Sequence, residues 1–327
     1  MSNPTQKPLV VVFVTGGTIV SRFDAVSNTI APLLSGEELI SSIGDTAFCD
    51  IELIEFCNMP GPHLTPQLGL ALAKEVRAFL GRDEVSGAVI VQGTDTLEEM
   101  AYLFHLILDS SKPVVFTGAM KSLNEPYTDA QGNLLGALRL AACQEARSQG
   151  ILVYFNQEIL SARYVVKHNA NNMDSFKAMG TGPTGVINND TITFFHRLEQ
   201  REHYEVAQLN ADIQLVTATC GMSPLLIETC VANRVDGIVL EGFGAGNLPP
   251  NVLPSVSRAV AQGISVVMVT RCMEGFASGT YSYEGGGADL ESLGVLFGGD
   301  LNGPKARMKL MVLCSINKAP SYIKKHL

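Results

Sequence analysis

Apolar and polar positions alternate along the chain in blocks of strand length and helix length. Short apolar runs at 9–14, 51–56, 88–91, 113–116 and 151–155 predict buried strands. Between them, apolar residues at three-and-four spacing predict helices over 35–43, 66–80, 97–108 and 129–148. In the third helix the apolar positions are Leu97, Met100, Ala101, Phe104 and Leu108, and Asp95 followed by Glu98 fits a capping box at its start. Thr65 before Pro66 reads as a cap and a first helical turn. Regular strand–helix alternation argues for an α/β architecture with a mostly parallel sheet covered on both faces. The pattern breaks at 197–212, where R-L-E-Q-R-E-H-Y-E (197–205) is the most charged stretch and lacks a sustained apolar period. It reads as an interdomain linker. A smaller α/β pattern follows, with strands expected at 213–217, 237–240 and 264–269 and helices at 223–232, 252–262 and 304–315. The expected domains are 1–196 and 213–327.

Composition agrees with two domains. A chain of 327 residues, 46% hydrophobic and 17% charged, has material for two sizeable cores. The net charge of −9 argues against binding a nucleic-acid backbone, and the longest Lys/Arg run is only Lys324 and Lys325. The apolar runs fall far short of the roughly 18 residues of a membrane span. The N-terminal residues lack the apolar core of an export signal, so a cytoplasmic protein is expected. The seven Cys are odd in number and scattered through apolar segments, which predicts reduced core thiols. No CxxC pair and no HExxH spacing occurs, so neither a zinc nor a redox site is expected.

Chemistry is concentrated where strand patterns end. The strand at 88–91 runs through Gln92 and Gly93 into Thr94 and Asp95, just before a helix. Side chains there sit at the C-terminal edge of a sheet, where open α/β folds bind ligands. Thr94 and Asp95 could equally be a capping pair. The first strand ends in the same way, at Thr15-Gly16-Gly17; two glycines allow close backbone approach to a ligand, or simply a tight turn. The GxxxxGK[ST] phosphate-loop spacing and the GxSxG elbow are both missing. A threonine hydroxyl needs a base to become a nucleophile. Lys167 ends an apolar run and could be a partly desolvated base, or an ordinary solvated strand-end lysine. His105, inside an apolar helix, reads as a core residue.

Taken together these segments resemble the bacterial-type L-asparaginase family, including the glutaminase-asparaginases. The resemblance rests on T-G-G-T-I (15–19), Q-G-T-D-T-L-E-E (92–99), F-T-G-A-M-K (116–121), D-A-Q-G-N-L (129–134), the Lys167 segment, G-A-G-N-L (244–248), Arg271-Cys272 and G-D-L-N-G-P-K-A-R (299–307), in order along nearly the whole chain. It implies a two-domain α/β fold with a larger N-terminal and a smaller C-terminal domain. It implies hydrolysis of a small amide such as L-asparagine or L-glutamine to acid and ammonia, with no metal or organic cofactor. On the matching positions, Thr15 is the implied nucleophile. Lys167 helps deprotonate a threonine hydroxyl, with Thr94 and Asp95 completing the group. Asp95 also anchors the substrate amino group. Amides near Gly93, Thr94 and Ala119 are the implied oxyanion hole. The family is commonly tetrameric, and Asn247 matches the residue contributed from a neighbouring C-terminal domain, so a homo-oligomer (dimer or tetramer) is expected.

Three departures bear on specificity. The family usually carries a loop Tyr after the first motif. Residues 20–38 contain no Tyr, and the hydroxyls before Ser35 are Ser21, Ser27 and Thr29. A Ser that binds the substrate α-carboxylate usually follows the second strand. Here the chain reads Met59-Pro60-Gly61-Pro62-His63, placing Gly61 near the Ser position and His63 beside the altered end of the substrate. For the family's acidic residue after the Arg271 motif the candidates are Glu274 and Glu284, and neither aligns cleanly. Two enzymatic readings follow: an ordinary asparaginase or glutaminase with a rebuilt carboxylate pocket, or an enzyme for a lactam, imide or amide lacking the free α-carboxylate. A non-catalytic binding protein of the same fold is a third reading. The asparaginase-like subunit of an archaeal tRNA amidotransferase is a fourth, expected to carry an extra N-terminal domain ahead of the first motif.

Overall fold

The computed structural model describes residues 7–24, 26, 29–31, 35–44, 46–197 and 202–327. The chain divides into two compact units between His203 and Tyr204. The first is built on an eight-stranded sheet. In chain order its strands and those beside it are β1 (Leu9–Val14), β2 (Arg22–Asp24), β3 (Thr29–Ala31), β4 (Asp50–Glu55), β5 (Val85–Val91), β6 (Val114–Thr117), β7 (Ile151–Phe155), β8 (Glu158–Ser161), β9 (Val165–Lys167), β10 (Phe176–Ala178), β11 (Gly185–Asn188) and β12 (Thr191–Phe194). The sheet order is β12-β11-β8-β7-β6-β5-β1-β4. From β4 to β7 all pairings are parallel; β7–β8, β8–β11 and β11–β12 are antiparallel. β2 with β3, and β9 with β10, form separate two-stranded ribbons.

The helices of this unit are α1 (Gly36–Ser42), α2 (Pro66–Leu80), α3 (Leu97–Ile107) and α4 (Ala130–Ala142). Because side chains alternate along a strand, the sheet has two cores. Val10, Val12, Val14, Val89, Val91 and Leu152 face Leu134, Ala137 and Leu138 of α4 and Leu39 of α1. On the other face Phe13 meets Phe79 of α2, and Phe116 meets Phe104 of α3, both edge-on. α2 is capped as its sequence predicts: Thr65 Oγ1 accepts from Leu68 N at 3.3 Å, with Pro66 in the first turn. α4 packs close to β7, since a Cβ on Gly136 would fall into the Tyr154 ring.

The second unit carries β13 (Ile213–Thr217), β14 (Gly237–Gly242), β15 (Ser265–Thr270) and β16 (Leu296–Phe297), in that order and all parallel. α5 (Leu225–Ala232) and α6 (Leu253–Ala261) share an apolar core with Val216, Ile238, Leu240, Val266 and Met268. α7 (Gly287–Ser292), α8 (Gly303–Ile316) and α9 (Pro320–His326) complete the unit, with α8 packed on β13, β14 and β15. Within it Leu209 and Ala211 are buried and the amides of Asn210 and Ala211 donate to Ser315 Oγ, so this part of the charged 197–212 stretch is packed rather than free.

Several expectations need correction. The helix expected over 129–148 stops at Ala142; Cys143 is extended and a short 3₁₀ turn follows at Gln144–Ala146. The apolar stripe of α3 widens to the whole helix. Ten of its eleven residues are buried, including His105, which stacks on Tyr102 at 5.8 Å. The cysteines are not uniformly core thiols: Cys49, Cys230 and Cys314 are buried, Cys57 and Cys143 half-buried, and Cys220 and Cys272 exposed, all seven free. No helix among the described residues is long and apolar enough to cross a membrane.

Burial pushes the Tyr154 hydroxyl up to about 12, with Arg139 opposing. A folded-state value above the ordinary 10 favours the neutral phenol, so its stabilising share is complete below pH 10 and lost as pH rises through 12. At pH 11 about 1.4 kcal/mol should be gone. Urea unfolding at pH 9 and pH 11 checks this, and Tyr154→Phe should lack that share of the alkaline loss.

Candidate active site

The sheet reverses its winding at β1. The chain leaves β1 and reaches β4 on one side, then returns to place β5 on the other side of β1. The crevice at the C-terminal ends of β1 and β5 is therefore the switch point at which open α/β sheets hold ligands. Thr15 follows β1 directly, and Gln92, Gly93 and Thr94 follow β5. The ladder between the strands continues one step past β1, with Thr15 N donating to Val91 O at 3.0 Å. Thr15 is 1% exposed, and its Oγ1 also donates to Val91 O, at 3.1 Å.

Glycine then permits an approach that no other residue allows. Gly17 has φ 94 and ψ −177, a region essentially reserved for glycine, and a Cβ on it would meet Gly93 Cα and N. Gly16, at φ 112, presses in the same way on the Met59 backbone, and Met59 N donates to Thr15 O at 2.9 Å. The turns after β1, β4 and β5 are thus packed backbone to backbone.

Thr94, Asp95 and Lys167 are brought into direct contact. Lys167 Nζ donates to Thr94 Oγ1 at 2.9 Å and pairs with Asp95 Oδ1 at 2.6 Å. Thr94 is 7% exposed, whereas the Asp95 side chain is 59% exposed, so the group has a buried hydroxyl end and an open carboxylate end. The capping box expected from Asp95 and Glu98 is not formed. The cap of α3 is Thr96, without a side-chain capping bond; Asp95 turns to Lys167, and Glu98 accepts from the Lys167 main-chain amide instead.

The remaining predicted positions gather around this group within the first unit. Gly61, Pro62 and His63 form a 3₁₀ turn, and a Cβ on Gly61 would lie 3.4 Å from Asp95 Cβ and from Gly93 O. The turn is tied to α3 by Thr96 Oγ1, which donates to Gly61 O at 2.9 Å and accepts from Gln92 Nε2 at 3.2 Å. His63 is exposed on the same turn. Ala119 is buried at the end of β6, next to Gly118, whose Cβ position abuts Gln92 O and Thr94 Cγ2. Asn247 belongs to the second unit, where its Oδ1 accepts from Gly287 N at 3.2 Å. Ser21 donates to Gly17 O at 2.8 Å; Ser27 lies outside the described residues. Glu274 and Glu284 lie in an exposed loop of the second unit.

Residues of the D-A-Q-G-N-L motif, given no role from sequence, hold this frame. Asp129 accepts from Met120 N and Lys121 N at 3.0 Å, and Asn133 Nδ2 donates to Gly118 O at 3.0 Å. Their i,i+4 spacing at the start of a helix was the available signal. Cys57, whose thiol donates to Thr15 O at 3.3 Å, has its pKa raised by burial and so stays a protonated thiol rather than a competing nucleophile. Among the described residues no group of three or more His, Cys, Asp or Glu could hold a metal ion.

Comparison with known proteins gives one answer along the chain. Residues 9–200 match the family model described as "Asparaginase, N-terminal", and residues 212–327 match "Glutaminase/Asparaginase C-terminal domain". An L-asparaginase of Bacillus licheniformis is 34% identical over 309 residues, 94% of this chain and 96% of its own. A probable L-asparaginase of Deinococcus radiodurans is 32% identical, with 98% of each chain covered. The crystal structure of a probable cytoplasmic L-asparaginase from Campylobacter jejuni superposes with a TM-score of 0.88 at 27% identity, over 98% of this chain and 99% of that one.

The glycine contacts make an opposed pair of tests. Gly17→Ala should destabilise by at least about 2 kcal/mol, through a forbidden φ and a backbone collision. Gly132, on α4 with nothing within 4 Å of a Cβ, should gain up to about 1 kcal/mol as Ala. Equilibrium urea unfolding of both variants reads the two signs.

Proposed function

The chain belongs to the asparaginase family, hydrolases of amide C–N bonds, and from that premise we propose that it hydrolyses the amide of L-asparagine or L-glutamine, with Thr15 as the nucleophile. The Thr15 hydroxyl adds to the amide carbonyl, the C–N bond breaks, and ammonia leaves with the hydroxyl proton. Water then cleaves the Thr15 ester to release the acid and restore the hydroxyl. The observation that carries the reading is the contact of Lys167 Nζ with both Thr94 Oγ1 and Asp95 Oδ1, at the switch point beside Thr15. It supports a lysine–threonine pair able to pass a proton at the reacting centre, with Asp95 holding the lysine. The exposed end of Asp95 suits the amino group of an amino-acid amide. Amides at Thr94 and Ala119, at the ends of β5 and β6, suit the oxyanion.

A second reading is favoured by Gly61. The position that abuts Asp95 carries no side chain, so no side chain at residue 61 offers a hydrogen bond to an α-carboxylate, and a site without that bond discriminates differently. The substrate is then a lactam, an imide or an amide without the free carboxylate. His63, on the same turn, is the specificity contact in either reading.

A homo-oligomer, dimer or tetramer, completes the proposal, with Asn247 presented to a neighbouring protomer's site. Met273, Phe276, Tyr281 and Tyr283 are exposed on the loop that leads to Gly287, the residue bonded to Asn247. Apolar exposure on that scale suits a covered surface. We place the protein in the cytoplasm by likeness to the Campylobacter relative. Sedimentation velocity should give a dimer or tetramer; a monomer at micromolar concentration with full activity would remove this part of the proposal.

Ammonia release from L-asparagine, L-glutamine and D-asparagine is the first measurement. Thr15→Ala should lower kcat at least about 1,000-fold. Wild-type release that survives in Thr15→Ala would sink the nucleophile. No release from any of the three would move the substrate to the carboxylate-free amides.

A further inference from the structure

Lys167 has to place one flexible ammonium against two atoms, yet it does not stand on the main sheet. It ends β9, a three-residue strand that among the described residues pairs only with the three residues of β10. A ribbon that short does not fix a side chain by its own stability, and a lysine adds four rotatable bonds. Something outside the ribbon must set the backbone from which the side chain starts.

That contact is present and comes from α3. Glu98 lies in the first turn of α3 and is 8% exposed. Its Oε2 accepts from the main-chain N–H of Lys167, across 69 residues of sequence. Thr94, Asp95 and Glu98 belong to one strand-to-helix turn, so a single rigid segment holds Lys167 at both ends. Thr94 and Asp95 take the ammonium, and Glu98 takes the backbone amide. A carboxylate acceptor makes this a charge-assisted bond, stronger than a neutral pair. Its charge also stands at the positive end of the α3 dipole.

We infer that Glu98 is a positioning residue: it clamps the Lys167 backbone to the turn that carries Thr94 and Asp95, and so sets where the ammonium sits. The inference rests on the proposed role of Lys167 and concerns the same site. Glu98 acts on the lysine and not on substrate, so its loss should lower kcat and leave KM nearly unchanged.

The test uses the full chain and whichever amide wild type turns over in a Thr15-dependent way. Glu98→Ala should lower kcat about 100-fold, the scale of an ångström misplacement, with KM within threefold. Glu98→Gln, which keeps an acceptor oxygen, should return kcat to within about fivefold of wild type. Glu98→Ala with wild-type kcat, or equal losses in the Ala and Gln variants, would overturn the assignment. Should Glu98→Ala not fold, Glu98→Asp draws the carboxylate back by one methylene and should lose at least tenfold in kcat at constant KM; wild-type kcat there would overturn it equally. A readout independent of turnover separates this inference from the proposed reaction. Amidination of Lys167 by methyl acetimidate, followed by mass spectrometry, should be several-fold faster in Glu98→Ala than in wild type. Wild type inactive on every amide with that acceleration intact faults the reaction alone. Active wild type with unchanged labelling faults the clamp alone.

Discussion

Two glycine backbones in contact, Gly17 and Gly93, set the dimensions of the site. The β1–β5 ladder runs in register up to Val14 and Val91 and continues through the Thr15 amide. Beyond that the strands would ordinarily splay into separate loops. Here the turns stay pressed together because neither carries a side chain at the point of contact. Thr15 on one turn and Thr94 on the other are therefore carried on turns that main-chain packing holds together. Gly16, against the Met59 backbone, and Gly118, against Gln92 O, extend the same arrangement to the turns after β4 and β6. The polar groups are carried on a surface that is rigid before any of them forms a bond.

That rigidity lets the site break local rules. α3 begins without a side-chain cap, although Thr96 stands at the capping position. Its hydroxyl is used on Gly61 O, where it ties the turn after β4 to the helix. Glu98 and Glu99 supply negative charge in the first turn and offset part of the missing cap. Asp95 is likewise directed to Lys167 and away from the helix end. Departures from local preference concentrate where chemistry is proposed, as expected when local stability is given up for geometry.

How much was legible depended on the range of the interaction. The buried strands β1, β5, β6 and β7 show as apolar runs because a parallel sheet covered on both faces needs them apolar. α2 shows its cap and first-turn proline because both are local. The strands β8, β11 and β12 escaped: they are short, antiparallel and half polar, and nothing in periodicity separates such segments from loops. The stripe of α3 understated its burial, because contacts with α2 and β9 complete a shell that single-chain periodicity does not reveal. In the site, Thr15, Thr94, Asp95 and Lys167 were visible as residue types at strand ends, and the structure joins the last three directly. Glu98 was visible only as a possible cap partner, since its bond to Lys167 spans 69 residues. Why Gly61 stands where the resemblance leads one to expect a hydroxyl is explained by neither spacing nor packing.

The β9–β10 ribbon has a consequence for how the protein fails on heating. Cooperative units open with free energies between zero and the global value, and short elements outside the main sheet sit at the low end. The proposed acid–base lysine rides on such an element, while Thr15 and Thr94 follow buried strands of the main sheet. Function and fold are therefore underwritten by different stabilities. On this reading, heat is expected to open the ribbon locally before the main sheet, so that the lysine would be lost from the site ahead of the fold.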